Sequence, residues 1–276
     1  MQLAIQEAML PGVTTHERLV QARELGFAGV EFAISDDFAM RLPEVVSALD
    51  AMGMRASAVN IGHTRLIHPD EVAREVAVVA MRQAMTYAVD LGAQGVVFKG
   101  FYAPGAVLPD LHPYKSALEL EAELLIMQLR ATLTDLAYAL GTELLLEPVN
   151  HTESHLVRRV AHAALVRHKL DGHPHLKIAA NVYQMQLEQD PWAEALQQHS
   201  ADIGYIHLAD LADGDRALPG QGVFDWDAIL AALHAVGYQG WLALDCAIPG
   251  QPGVWTLDDL AHSVATLRRA AAANPA

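Results

Sequence analysis

The sequence predicts a single-domain α/β protein folded as a (β/α)8 barrel. Three observations predict it. Short apolar runs alternate with amphipathic stretches from one end of the chain to the other. Eight such pairs share 276 residues, about 34 each, the size of one strand-plus-helix unit in a barrel of this kind. No linker rich in Gly, Pro or Ser divides the chain, so residues 1–276 are expected to form one domain.

Each predicted strand is brief and mostly apolar, as parallel strands covered on both faces must be. Strand one, Leu3–Ala8, precedes a helix over Thr14–Leu25 with Leu19, Ala22 and Leu25 on one face and Gly26 at its end. Strand two is Gly29–Ala33, followed by a helix over Pro43–Met52 that Gly53 closes. Strand three, Ala56–Ile61, leads to a long helix, Pro69–Leu91, with Pro69 in its first turn and Gly92 past its end. Strand four, Gly95–Lys99, opens the longest loop, Gly100–Tyr114, which holds three prolines and has the length of a lid. The helix after it covers Lys115–Leu140 and stops at Gly141. Strand five is Glu143–Pro148, with a helix over Glu153–Leu170 ending before Gly172. Strands six, seven and eight are Lys177–Asn181, Ile203–Leu208 and Trp241–Cys246. Their helices are Pro191–His199, Asp225–Val236 and Leu257–Ala271. Proline at helix starts and glycine just past helix ends support these boundaries. The last few residues are expected to fray.

Composition narrows the function. At 52% hydrophobic the chain is too apolar for a disordered protein. No run approaches the ~18 apolar residues of a membrane helix. The start, MQLAIQEAML, has no basic region or small-residue cleavage site. The single cysteine, Cys246, suits a reducing compartment. With 18 basic and 33 acidic residues the formal charge is −15, which disfavours a phosphate backbone as partner. The expectation is a cytoplasmic protein acting on a small molecule, with neither nucleic acid nor membrane as partner.

Active sites of such barrels lie at the carboxyl ends of the strands. Those ends give His63, Lys99, Glu147, Asn150, Asn181, Gln184, His207, Asp210 and Asp245. Polar groups are costly to bury unless paired, so their accumulation where apolar strands stop is informative. Glu147, His207 and Asp245 stand on strands five, seven and eight, which converge. Their oxygens and nitrogens suit Mg²⁺, Mn²⁺, Co²⁺ or Zn²⁺. Asn181 could add a neutral carbonyl oxygen. Lys99 reads either as a side chain reaching solvent, as a cationic stabiliser of an enediolate, or as a Schiff-base nucleophile.

Several segments, in this order and spacing, resemble the xylose-isomerase-like TIM-barrel superfamily, the sugar isomerases and epimerases of the D-tagatose 3-epimerase type. They are FAGVEFAI around Glu31, LIHPDEVARE, YAVDLGAQGVVFKG, LLLEPVNHTE, YIHLAD with RALPGQGVFDW, and GYQGWLALD. The resemblance implies a divalent metal held by Glu147, Asn181, His207 and Asp245. It implies that Glu147 and Asp245 are the acid/base pair on opposite faces of the substrate, and that Arg216 contacts substrate oxygens. His63, Lys99, Asn150 and Gln184 are placed with Arg216 as substrate-binding residues. Relatives carry Asp, His and Glu where this chain has Asn181, Gln184 and Asp245, and often a histidine at Lys99. The shorter Asp245 loses roughly 1.3–1.5 Å of reach. Relatives often form dimers or tetramers, so a homo-oligomer is implied.

The leading expectation is an isomerase or epimerase of a small sugar, polyol or keto-acid, working through an enediolate with a divalent metal. The alternatives are a non-catalytic carbohydrate-binding or regulatory barrel, motivated by the neutral Asn181 and Gln184, and a lyase or dehydratase on the same scaffold. No glycine-rich phosphate loop follows strands seven or eight, which favours an unphosphorylated substrate.

Overall fold

A computed structural model describes residues 1–246 and 255–273. Of the last residues, expected to fray, those up to Ala273 are helical, and 274–276 lie outside the described residues. Eight parallel strands close into a barrel: β1 (Gln2–Gln6), β2 (Gly29–Ala33), β3 (Arg55–His63), β4 (Gly95–Lys99), β5 (Glu143–Glu147), β6 (Leu176–Asn181), β7 (Ile203–Leu208) and, as the eighth barrel strand, β10 (Trp241–Leu244). The order around the barrel is β1-β10-β7-β6-β5-β4-β3-β2. Between β7 and β10 a two-stranded antiparallel hairpin stands apart from the barrel, β8 (Asp210–Ala212) with β9 (Asp215–Ala217).

The outer layer starts with α1 (Thr15–Leu25), which opens on a Thr14/Glu17 capping box and closes on Gly26 in the left-handed region (φ 83°). It continues with α2 (Phe38–Met52), α3 (Glu71–Asp90) and α4 (Ala117–Gln128). A π-helical turn over Leu129–Leu133 joins α4 to α5 (Thr134–Leu140), so the predicted helix over 115–140 is one rod with a bulge. The layer ends with α6 (Val160–Lys169), α7 (Val182–Leu187), α8 (Trp192–His199), α9 (Trp226–Ala235) and α10 (Leu257–Ala273).

Two predicted boundaries fail for identifiable reasons. Helix α2 starts five residues before Pro43, which lies inside it, because the ring removes one donor without stopping the turns on either side. The helix expected from Glu153 starts at Val160. Residues 148–159 form a loop, and it brings Glu153 to the barrel mouth.

Alternation along the strands divides the barrel interior into layers. The inner layer is Ala4, Ala58, Val97, Leu145, Ala179, Tyr205 and Ala243, joined by Trp241, all buried. Alanine on four strands leaves room for the Tyr205 and Trp241 rings. Two residues further along each strand comes the next inward position. Those positions are Gln6, Asn60, Lys99, Glu147, Asn181, His207 and Asp245, with Glu31 two beyond Gly29 on β2. The registers agree, pairing Gln6 with Glu31, Lys99 with Glu147, and Asn181 with His207. A polar ring, one residue from each strand, therefore caps an apolar plug.

Asp210, expected among the site residues, is buried and anchors the hairpin instead. Its carboxylate accepts from the Leu211 amide at 2.9 Å, the Gly220 and Phe224 amides at 3.0 Å each, and the Trp226 indole at 2.8 Å. Asp210→Ala strands four donors, each costing about 1–3 kcal/mol when buried. Thermal melting of that variant is expected to show at least about 3 kcal/mol of lost stability. A melt superimposable on the parent's contradicts the anchor role.

Candidate functional site

Three carboxylates converge on one imidazole at the mouth. His207 Nε2 lies 2.6 Å from Glu31 Oε2. Its Nδ1 lies 3.4 Å from Glu147 Oε1 and 3.8 Å from Asp245 Oδ2. All four residues are buried. Burial pushes the imidazole pKa down, but Glu31, Glu147 and Asp245 more than reverse this and hold it well above the ordinary histidine value.

Asn181 sits between the two proposed acid/base carboxylates. Its Nδ2 donates to Glu147 Oε1 at 2.7 Å and to Asp245 Oδ2 at 2.8 Å. Its Oδ1 is turned away, accepting the Gln184 amide at 3.2 Å as the N-cap of α7. The carbonyl oxygen that was expected to meet a cation is thus engaged by the helix, and the amide hydrogens bridge the acids.

The two carboxylates are not equivalent. Asp245 Oδ1 accepts from Gln6 Nε2 at 2.6 Å, and Oδ2 is met by both Asn181 and the Arg216 guanidinium. Arg216 also donates to the Asp245 carbonyl at 2.7 Å and lies over the Tyr183 ring, 4.8 Å from its centroid. Burial would raise the Asp245 carboxyl, but Arg216, His207 and Lys99 hold it far below the usual carboxylate range. Glu147 is also lowered, with Lys99 and His207 outweighing burial. Its Oε2, however, accepts no hydrogen bond and faces Lys99 Nζ at 3.7 Å. Burial alone would lower the Lys99 ammonium. Glu147 and Asp245 overcome that and raise it, which keeps it charged and argues against a Schiff-base nucleophile.

A second polar group lines the mouth beside this one. Glu153 meets His63 Nε2 at 3.0 Å and Gln184 Nε2 at 2.7 Å. Burial raises its carboxyl, yet these bonds and the charges of Lys99 and Arg216 bring it down to about 2. Asn150 and Gln184 are buried, and spend their side-chain amides on each other and on Glu153, with Gln184 Oε1 accepting both the Asn150 backbone N–H at 2.9 Å and Asn150 Nδ2 at 2.5 Å. His63 Nδ1 faces the Gly100 carbonyl at 3.0 Å, tying the start of the long loop to this group.

The expected residues Glu147, Asn181, His207, Asp245, Lys99 and Arg216 therefore form one constellation, and His63, Asn150 and Gln184 adjoin it through Glu153. Gln6, Glu31, Asn60 and Glu153 belong to the site and were not expected. The period of two along strands one to three would have found the first three.

The chemistry of the donors fits a divalent cation. Glu147, His207 and Asp245 each offer one ligand atom, all within 4.8 Å of one another. Two of the buried polar atoms in this group, Glu147 Oε2 and His207 Nδ1, have no hydrogen-bond partner. An oxygen-and-nitrogen set suits Mg²⁺, Mn²⁺, Co²⁺ or Zn²⁺. The neighbouring Cys246 does not compete. Its thiol is buried, pushed up by that burial, and directed to the Ala217 carbonyl at 3.2 Å.

Comparison with known proteins gives consistent findings. The sequence profile of the family described as "Xylose isomerase-like TIM barrel" matches residues 19–269. Among curated proteins, the chain is similar to the 3-dehydro-D-guloside 4-epimerase of Escherichia coli (strain K12), at 25% identity over 233 residues, 83% of this chain and 86% of that one. It is also similar to the ketose 3-epimerase of Arthrobacter globiformis, at 26% identity over 228 residues, 80% and 73% of the two chains. Among solved structures, the apo form of an E. coli 3-keto-D-glucoside 4-epimerase superposes with a TM-score of 0.82 at 25% identity, over 98% of this chain and 99% of that one.

Proposed function

The chain belongs to the xylose isomerase-like TIM-barrel family, and from that premise we propose that it is an enzyme that epimerises or isomerises an unphosphorylated sugar bearing a hydroxyl next to a ketone. The observation that carries the reading is the pair Glu147 and Asp245, spanned by one Asn181 amide at 2.7 and 2.8 Å beside a three-donor cation site. The sugar substrates named for the two epimerases support the substrate class.

Glu147 is the readier base, because Oε2 is free of hydrogen bonds. It takes the proton from the carbon next to the carbonyl. The resulting enediolate carries its negative charge towards Lys99 and Arg216. Once Arg216 moves from Asp245 to the substrate oxygens, Oδ2 keeps only the Asn181 hydrogen bond; Asp245, protonated from solvent, then delivers a proton on the opposite face, and in its ionised form accepts one in the reverse direction. Glu147, His207 and Asp245 would hold a divalent cation, which when bound would supply further positive charge for the same oxygens. Glu153 and His63 bind the sugar hydroxyls, with Asn150 and Gln184 holding Glu153 in place.

The surroundings suit this reading. Among the described residues no helix is long and apolar enough to cross a membrane. The charge of −15 repels a phosphate backbone. We place the enzyme in the cytoplasm as a homo-oligomer.

The test is proton exchange. Protein loaded with Mn²⁺ and incubated in D2O with a panel of free ketoses and keto-glycosides is expected to incorporate deuterium next to the ketone of at least one, read by NMR. No incorporation into any member overturns the reading.

A further inference from the structure

Glu31 is a buried carboxylate that the proposed proton transfer does not use. Its surroundings are unusually complete. Oε1 accepts Gln6 Nε2 at 3.0 Å and Asn60 Nδ2 at 2.8 Å, while Oε2 is 2.6 Å from His207 Nε2. Gln6 Nε2 also donates to Asp245 Oδ1 at 2.6 Å. One carboxylate on β2 is thus joined directly to the imidazole, and through Gln6 to Asp245.

An imidazole can offer a lone pair on only one nitrogen, and which one is set by the hydrogen bond at the other. The geometry at 2.6 Å is that of a ring N–H donating to a carboxylate oxygen, which assigns the proton on the Glu31 side to Nε2. That leaves Nδ1, which has no hydrogen-bond partner and points to the space between Glu147 and Asp245. The other oxygen of Glu31 is filled, since the Gln6 and Asn60 amides both donate to Oε1, which leaves Oε2 to the imidazole.

We propose that Glu31 is the positioning residue of the cation site: it holds the His207 ring proton on Nε2 so that Nδ1 is presented to the metal, and through Gln6 it fixes the Asp245 carboxylate in the same register. The proposal rests on reading Glu147, His207 and Asp245 as the cation-binding group. Glu31 touches neither substrate nor metal, and its effect passes through those two side chains.

Glu31→Gln separates this role from simple packing. The amide oxygen can still accept from Gln6 and Asn60, so the network keeps its shape. The amide nitrogen, however, donates to Nε2 and drives the ring proton to Nδ1, against the cation. Glu31→Asp keeps a carboxylate one methylene shorter. Co²⁺ binding is measured by calorimetry and by the visible absorption of the bound ion, with thermal melting of each protein alongside. Glu31→Gln is expected to weaken Co²⁺ by about 10–100-fold, with Glu31→Asp recovering part of the loss. In Zn²⁺-loaded parent protein with ¹⁵N-labelled histidine, NMR is expected to find the His207 proton on Nε2. If Glu31→Gln does not fold, Glu31→Asp and the parent spectrum carry the test. The proposal is overturned if the parent binds no Co²⁺, if the folded Glu31 variants match the parent's affinity, or if the parent's ring proton is on Nδ1. A parent that binds Co²⁺ yet exchanges no ketose proton overturns the epimerase reading and leaves this one standing.

Discussion

Glu147→Gln is expected to lower turnover by about 10²–10⁴-fold, the range for removal of a general base or acid. The amide matches the carboxylate in shape, and its oxygen can still accept from Asn181, which now holds Oε1 at 2.7 Å. The loss is therefore one of charge rather than shape, combining the missing base with a weaker ligand for the cation. The substitution removes the one oxygen of the acid pair that accepts no hydrogen bond, and it leaves the Lys99 ammonium without its nearest counter-charge, 3.7 Å away. Substrate binding through Glu153 and His63 should persist, so kcat falls much more than KM rises. A variant with kcat within threefold of the parent removes Glu147 from the chemistry.

Asn181→Asp is expected to move stability and metal affinity in opposite directions. The Asn181 amide makes two hydrogen bonds to ionised acceptors, each worth about 1.5–3 kcal/mol. A carboxylate there would place oxygen against oxygen at distances now 2.7 and 2.8 Å, where like charges cannot all remain ionised. Without metal, the variant should melt with at least about 3 kcal/mol less stability. With Mn²⁺ or Co²⁺ the third carboxylate becomes an asset, and affinity should rise at least tenfold, about 1.4 kcal/mol. Melting curves with and without Mn²⁺, paired with calorimetry, read both effects. An unchanged metal-free melt denies the bridging amide its role, and an unchanged affinity denies that the acids share one cation.

The barrel was legible because its signals are local. Apolar runs of strand length, Gly at helix ends and a near-constant unit length each follow from backbone sterics and burial on two faces. The site was legible wherever a polar residue ended an apolar run, as at Lys99, Glu147, His207 and Asp245. Gln6, Glu31 and Asn60 escaped because each lies within a strand, flanked by residues that hide the interruption. Counting by two from Ala4, Gly29 and Ala58 recovers them. The β8–β9 hairpin also had a signal, Asp213-Gly214, a two-residue turn with both φ positive. Through it Arg216 reaches Asp245. Glu153 was placed on a helix because its surroundings read as helical. Its true position depends on Asn150, Gln184 and His63, which lie from 3 to 90 residues away in sequence. The direction of the Asn181 amide is likewise a tertiary fact, set by competition between a helix N-cap and two acids.

If Glu147 and Asp245 serve opposite faces of one carbon, epimer-specific exchange in the two single variants must show it. Each purified epimer is incubated in D2O with Mn²⁺-loaded Glu147→Gln or Asp245→Asn protein, and deuterium at the reacting carbon is followed by NMR. Each variant is expected to lose epimerisation but still exchange the proton of one epimer, the two variants retaining exchange with opposite epimers. Exchange of the same epimer by both variants, or epimerisation without deuterium in the product of the parent enzyme, would contradict the opposite-face roles.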